Sequence, residues 1–274
     1  MPLRKVDIPA EPQSEPSQSK QRDLDRPTAM QIYEQVSLNA RRELARSNIS
    51  LALSGLVGGL TMGLTALGVS IASAALGPSR VAQFIAFLFY PLGFMAVILG
   101  RGQLFTENTL YPVALILTER RHVLGTLRLW GVVFSANVAG ALLFAILCAR
   151  TRALEPQVLA TMAQIGITAA GHPAKHIFWS GVVGGWIIAM VAWLVSGSHS
   201  ITGSVALIWS LTFIVGLGHF AHCIATSGEI LAAVLTHQLP PLAYFGWLLP
   251  ATCGNITGGV LLVTLLEYGQ TKLI

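Results

Sequence analysis

Long stretches of this chain carry no Lys, Arg, Asp or Glu, and their lengths fix the solvent in which it folds. Ser47–Ser79 runs 33 residues without a charge, Val81–Gly100 20, Leu129–Ala149 21, Ile177–Ser198 22, Ser200–Gly218 19 and Leu239–Leu266 28. About 20 apolar residues span the hydrocarbon core of a bilayer as a helix. Of the 274 residues 53% are hydrophobic and 11% charged, and 15 of the 29 charged side chains fall within residues 1–46. The 14 that remain cannot cover the surface of a soluble domain of that size. Despite the net charge of +5 they form no basic patch for nucleic acid. The chain reads as an integral membrane protein whose main partner is the lipid bilayer.

Two apolar pieces are shorter and contain a carboxylate: Leu104–Thr118 around Glu107, and Ala221–Thr236 around Glu229. Each follows a full-length run and is too short to cross alone. They read as second halves of broken helices, giving six crossings with the second and fifth interrupted, over residues 47–274. Seven basic residues (Arg41, Arg42, Arg46, Arg120, Arg121, Arg128, Lys272) flank one set of ends, and four (Arg80, Arg150, Arg152, Lys175) flank the other. The positive-inside rule places the first set, and both termini, in the cytosol.

Residues 1–46 form a polar cytosolic tail. Pro2, Pro9, Pro12, Pro16 and Pro27 interrupt its start, no apolar segment of a secretory signal is present, and 1–27 reads as disordered by composition. Ile32, Val36, Ala40 and Leu44 then recur every four residues, which predicts an amphipathic helix over about 28–45 begun by Thr28 or Asp25. It serves either as an interfacial anchor or as a lid over a pore mouth. Cys148, Cys223 and Cys253 lie in apolar stretches without metal-ligand spacing and read as small buried hydrophobes.

The chain also repeats itself. Ser54-Gly55-Leu56-Val57-Gly58-Gly59 is echoed by Ser180-Gly181-Val182-Val183-Gly184-Gly185, 126 residues later, and Asn137-Val138-Ala139-Gly140 by Asn255-Ile256-Thr257-Gly258, 118 later. The breaks at Leu104-Phe105-Thr106 and near His222–Thr226 fall at a similar offset. Three crossings repeated must insert upside down the second time, so repeat A (about 47–149) and repeat B (about 172–270) are inverted copies. Broken helices strand backbone groups in lipid unless they line a cavity or are buried in protein, so the two breaks mark a pathway. The glycine pairs read as close helix packing.

Gly218–Glu229 places His219, His222 and Glu229 in the membrane, where ionisable side chains are costly and mark function. On an unbroken helix His219, His222, Thr226 and Glu229 would share a stripe. The partner segment is Gly102–Thr109, with Arg101 before it. Glu107 and Glu229 occupy comparable places in the two halves, as structural salt links with Arg101 or helix ends, or as proton sites. Asn108 and Asn255 read as ties for loop backbone.

At these residues the chain resembles the formate/nitrite transporter family. Leu104-Phe105-Thr106 is similar to that family's second-helix loop, and His222-Cys223-Ile224-Ala225 to its fifth-helix loop. Gly254-Asn255-Ile256 with Gly258-Gly259 is similar to its sixth-helix motif, and Phe178, Gly181 and Trp193 fit its fourth helix. The resemblance implies an all-α, aquaporin-like protomer, a homopentamer with one pore per protomer, and passage of small monovalent anions such as formate or nitrite, or their acids. No cofactor is implied. It makes His222 the central histidine, a proton relay or gate, with Thr106 the facing threonine and Asn255 the sixth-helix asparagine. Tyr90, Phe94, Leu104 and Phe105 become the constrictions, and Lys175 the outer-vestibule lysine. Ala221, Thr226 and Gly185 depart from the family pattern, and Arg101, Glu107 and Glu229 add charge to it.

Competing classes make different demands. A neutral-solute pore of the aquaporin kind would carry two Asn-Pro-Ala boxes, which are missing. A metalloenzyme would use His219, His222 and Glu229 as ligands. A transport-inactive assembly or sensor protein would keep the fold alone. No phosphate-binding loop, nucleophile elbow or dinucleotide fingerprint points to another enzyme. The expected location is a bacterial cytoplasmic (inner) membrane.

Overall fold

A computed structural model describes residues 27–272 of the chain. Residues 1–26, on which most of the expected disordered tail and Asp25 fall, lie outside the described residues, as do 273–274. Within them the fold is helical, with no strand. The helices are α1 (Ala29–Leu44), α2 (Asn48–Leu76), α3 (Arg80–Phe87), α4 (Pro91–Leu99), α5 (Tyr111–Glu119), α6 (Val123–Arg150), α7 (Pro156–Ala170), α8 (Ala174–Ser196), α9 (Ile201–Leu217), α10 (Ser227–Leu235), α11 (Pro241–Thr257) and α12 (Leu265–Lys272). A π-helical turn, Gly258–Thr264, joins α11 to α12. By length and composition α2, α3 with α4, α6, α8 and α11 through α12 can each cross a bilayer, whereas the 17-residue α9 is shorter.

Local chemistry sets the ends. Ser47, Ser79 and Ser200 cap α2, α3 and α9 through their hydroxyls. Pro91, Pro156 and Pro241 open α4, α7 and α11, where a missing N–H costs nothing. Thr28 begins α1 with a capping box: its hydroxyl accepts from Gln31 N–H at 3.3 Å, and Gln31 Oε1 accepts from Thr28 N–H at 2.7 Å.

The two halves pack as inverted copies. α2 lies along α6 and α8 along α11, while α1 sits on α5 and α7 on α10. The repeat therefore includes α7 as the counterpart of α1, an element absent from the sequence reading. Gly59 and Gly185 hold equivalent places: a Cβ on either would run into the backbone of Asn137 or Asn255. Gly131 on α6 faces open space. Gly59→Ala should therefore lower the thermal midpoint of the purified protein, overpacking costing about 1–3 kcal/mol. Gly131→Ala should leave it unchanged or raise it, since helix propensity favours Ala by about 1 kcal/mol. Parallel thermal unfolding of both variants in detergent checks this.

α1 docks on protein rather than lying free. Tyr33, Val36 and Ala40 are buried, with Ile32 and Leu44 half-buried beside them. The Tyr33 hydroxyl donates to Ala114 O on α5 at 2.6 Å and meets Thr118 Oγ1 at 2.9 Å. Glu119, at the end of α5, pairs with Arg41 of α1 and bonds His122 (2.8 Å) and Arg121 (2.7 Å). The His122 hydrogen bond first, and that of Arg121 second, hold its carboxyl down to about 2 from 4.5. The lowered carboxylate therefore stabilises chiefly the α5–α6 turn, and it stays ionised and able to pair with Arg41 of α1 until pH falls through about 2. Exchange protection of α1 amides should thus stay constant from pH 8 to pH 5 as far as Glu119 is concerned, and Glu119→Gln should reduce it throughout that range.

Of the three cysteines, Cys148 and Cys223 are buried and Cys253 is exposed on α11. The expectation of three buried thiols is corrected at Cys253, whose helix turns that face outward.

Candidate functional site

Both breaks are built on one plan. α4 stops at Gly100 and α9 at Gly218, and the next residues, Arg101 (φ 59°) and His219 (φ 52°), are both left-handed and 118 positions apart. The first loop bonds back to α2 through Gln103 N–H to Ser54 O at 3.3 Å. The second uses the matching residue of α8: Ser180 Oγ accepts from Ala221 N–H at 3.0 Å and donates to His219 O at 3.3 Å.

An asparagine then closes each loop. Asn137 Oδ1 accepts from Phe105 N–H (2.8 Å), and its amide donates to Gly55 O (2.7 Å) and Gln103 O (2.8 Å). Asn255 Oδ1 accepts from Cys223 N–H (2.8 Å), and its amide donates to Gly181 O and Ala221 O (both 2.8 Å). Each side chain thus satisfies two backbone groups that breaking the helix had stranded and ties them to a carbonyl of the neighbouring continuous helix. Asn255 ties loop backbone, the reading its sequence position favoured, and Asn137 is its equal, a role not assigned from the sequence. Asn108 also serves the loop, donating to Gln103 Oε1 (2.9 Å) and Leu104 O (3.1 Å). The π-turn braces this side, with Thr264 Oγ1 donating to Thr109 O at 3.1 Å.

The two loops meet at one contact. Thr106 Oγ1 lies 2.8 Å from His222 Nε2, and both residues are fully buried. Ala225 N–H donates to His222 Nδ1 at 3.0 Å. A backbone N–H can only donate, so Nδ1 is an acceptor and the neutral ring carries its hydrogen on Nε2, which donates to Thr106. Adding a proton at Nδ1 would break the Ala225 bond. α5 and α10 both begin at the breaks, so the positive ends of two half-helix dipoles flank this contact.

Aromatic rings lead to it. His219 packs edge-on to Phe87 (4.9 Å between centroids), Phe87 lies 6.4 Å from Tyr90, Tyr90 5.7 Å from Phe94, and Phe94 packs edge-on to His222 at 5.0 Å. Tyr90, Phe94 and the buried Leu104 stand in the two breaks or beside them. Phe105 does not: its ring turns to Trp130 (5.8 Å) and Phe134 (5.0 Å) of α6, away from His222. The repeat register explains this, because Leu104 matches His222 while Phe105 matches Cys223.

A cavity of about 1180 Å³ opens beside the second break, with His219, Thr226, Tyr90 and Glu229 in its lining. His176, in the first turn of α8, also lines it, while Trp193 near the other end of α8 packs on Tyr33 of α1. The cavity and α1 are therefore on opposite faces. Lys175 does not line it; His172 and His176, with ring centroids 4.5 Å apart and tilted by 31°, do, and all three residues are exposed. The chain turn that carries Lys175 places its neighbouring imidazoles at the exposed edge of the cavity instead.

Glu107 and Glu229 are buried, and among the described residues neither carboxylate forms an ion pair or hydrogen bond, with Arg101 or otherwise. Nor are they equivalent. At the 118-residue offset Glu107 matches Ala225 and Glu229 matches Tyr111. No group of three metal-ligating side chains exists among the described residues, so His219, His222 and Glu229 do not assemble as a ligand set.

An inverted repeat of helices with two breaks meeting at a buried polar contact defines a membrane protein of the aquaporin-like channel and transporter class. A family model described as formate/nitrite transporter matches residues 30–269, and the chain belongs to that family. It is 29% identical over 248 residues to the inner membrane protein YfdC of Escherichia coli (strain K12), covering 89% of this chain and 79% of the relative. It is 28% identical over 213 residues to a probable formate transporter of Methanothermobacter thermautotrophicus, covering 70% and 76%. Among solved structures its fold matches an FNT family ion channel (TM-score 0.79, 16% identity, 87% of this chain and 98% of the other). It also matches a pentameric formate channel with formate bound (TM-score 0.68, 19% identity, 81% and 96%).

Proposed function

We propose that this chain carries small monovalent anions, or their conjugate weak acids, across a bacterial inner membrane. It works as a homopentamer with one pathway per protomer, six crossings and both termini in the cytosol. The observation that carries this reading is the Thr106–His222 contact, which joins the two breaks at the buried end of the aromatic column.

An anion leaving water for an apolar passage loses solvation worth many kcal/mol. Donors fixed in place of water offset that loss where the dielectric is low. His222 Nε2–H and the Thr106 hydroxyl are such donors, and the converging N-termini of α5 and α10 add positive potential. His222 acts as a polar gate: Nε2–H can turn from Thr106 to the solute, while Ala225 N–H keeps Nδ1 occupied. A proton relay through Nδ1 would need that bond broken, so the gate is the better fit to the geometry. Asn255 and Asn137 hold the loops, and Tyr90, Phe94 and Leu104 exclude hydrated ions.

The test is a solute panel in proteoliposomes. Formate, nitrite, acetate and lactate should include at least one solute taken up faster than by protein-free vesicles, with glycerol and urea unaccelerated. Glycerol or urea uptake without anion uptake would identify a neutral-solute pore instead.

A further inference from the structure

We propose that His172 and His176 make the cavity beside the second break a pH-switched collector of monovalent anions, attracting them on acidification and not at neutral pH. This deepens the transport reading, and rests on it for the class of solute.

The composition of the lining carries the inference. No Lys or Arg side chain lines the cavity. Its titratable groups are the imidazoles of His172, His176 and His219, the carboxyl of Glu229 and the phenol of Tyr90. α2, α3, α7, α9 and α11 contribute uncharged side chains only, among them Ser73, Gln83, Gln164 and Trp247. Lys175 and Arg80 are exposed and lie outside the lining. The cavity has therefore no fixed positive charge of its own, and the negative charge it can hold is that of Glu229. Imidazole is the side chain that changes charge between pH 5 and 8.

The arrangement places those groups close together. His172 ends the α7–α8 turn and His176 lies one helical turn further on, with ring centroids 4.5 Å apart and rings at 31°. His219 is within electrostatic reach of His172 from across the cavity, and it stands at the head of the aromatic column. Acidification turns neutral imidazoles into cations along the route to His222. Arg101 stands at the position equivalent to His219 in the other half.

Tryptophan quenching in the detergent-purified oligomer tests this without relying on transport. Trp179 and Trp247 line the cavity and report on quencher inside it. Iodide serves as the monovalent anion and acrylamide as the uncharged control. From pH 7.5 to 5.5 at about 0.1 M ionic strength, iodide quenching should rise by up to roughly 1.7-fold, the effect in water of two unit charges about 10 Å away at a Debye length of about 10 Å. It should not rise in about 1 M salt, where that length is near 3 Å. Acrylamide quenching should not change. His172→Gln/His176→Gln should abolish the rise while keeping the acrylamide value and the oligomer's elution. His172→Lys/His176→Lys should quench strongly at both pH values. The same iodide rise in the Gln variant, or an equal rise with acrylamide, would overturn the proposal. A wild-type rise with no anion flux in proteoliposomes would leave it standing and count against the transport reading.

Discussion

His222→Ala should cut anion flux by about 10–100-fold, the cost of removing one charge-assisted hydrogen bond of about 1.5–3 kcal/mol from the barrier region. The ring is fully buried, and its two nitrogens engage Thr106 and Ala225. Truncation leaves Ala225 N–H without its acceptor and opens a gap beside Phe94. The fold should survive, because Asn255 and not His222 ties this loop to the neighbouring helices. Thr106→Val keeps the shape and removes the hydroxyl, and should lower flux less, since Nε2–H remains. Arg42→Ala, on the exposed face of α1, should leave flux near wild type. Initial rates of formate uptake in proteoliposomes of equal protein content compare all four. Undiminished flux in His222→Ala would remove the histidine from the pathway.

Asn255→Ala should cost the oligomer itself. Three hydrogen bonds go at once, leaving Cys223 N–H and Ala221 O without a partner, while Gly181 O keeps its place in the hydrogen-bond ladder of α8. Each buried group left unsatisfied costs about 1–3 kcal/mol, a total of roughly 2–6 kcal/mol against a typical stability of about 5–15 kcal/mol. Most of the expressed protein should aggregate, and any that purifies should unfold well below wild type. Asn255→Asp keeps the acceptor for Cys223 and loses both donors, so it should fail nearly as badly. Asn137→Ala should match Asn255→Ala, because Asn137 makes the same three bonds in the other half. Size-exclusion profiles and thermal midpoints in detergent read all three. A stable, normally eluting Asn255→Ala protein would show that water replaces the side chain.

Much of this architecture was legible because the bilayer simplifies the code. Charge-free runs marked the long helices, and charged apolar fragments too short to cross marked both breaks. The small-residue repeats registered α2 on α8 and α6 on α11, where glycine is required for backbones to touch. What was missed follows from reading charge alone. Pro156–Ala174 is also 19 residues without a charge, opened by a helix-starting proline, and forms α7. The 118-residue offset of the Asn motif, carried into the loops, would have separated Glu107 from Glu229 and matched Arg101 to His219. It would also have turned Phe105 away from His222. The placement of His172 and His176 at the edge of the cavity had no such signal, since a one-residue rotation at the start of α8 decides whether Lys175 or His176 borders it.

The central claim is that small anions, or their weak acids, cross the membrane past the Thr106–His222 contact. Uptake of radiolabelled formate and nitrite by proteoliposomes from pH 5 to 8, set against protein-free vesicles and His222→Ala, tests it most directly. The account predicts saturable wild-type flux of at least one of them, strongly reduced in the variant. Flux equal to that of protein-free vesicles, from a folded oligomer, would contradict it.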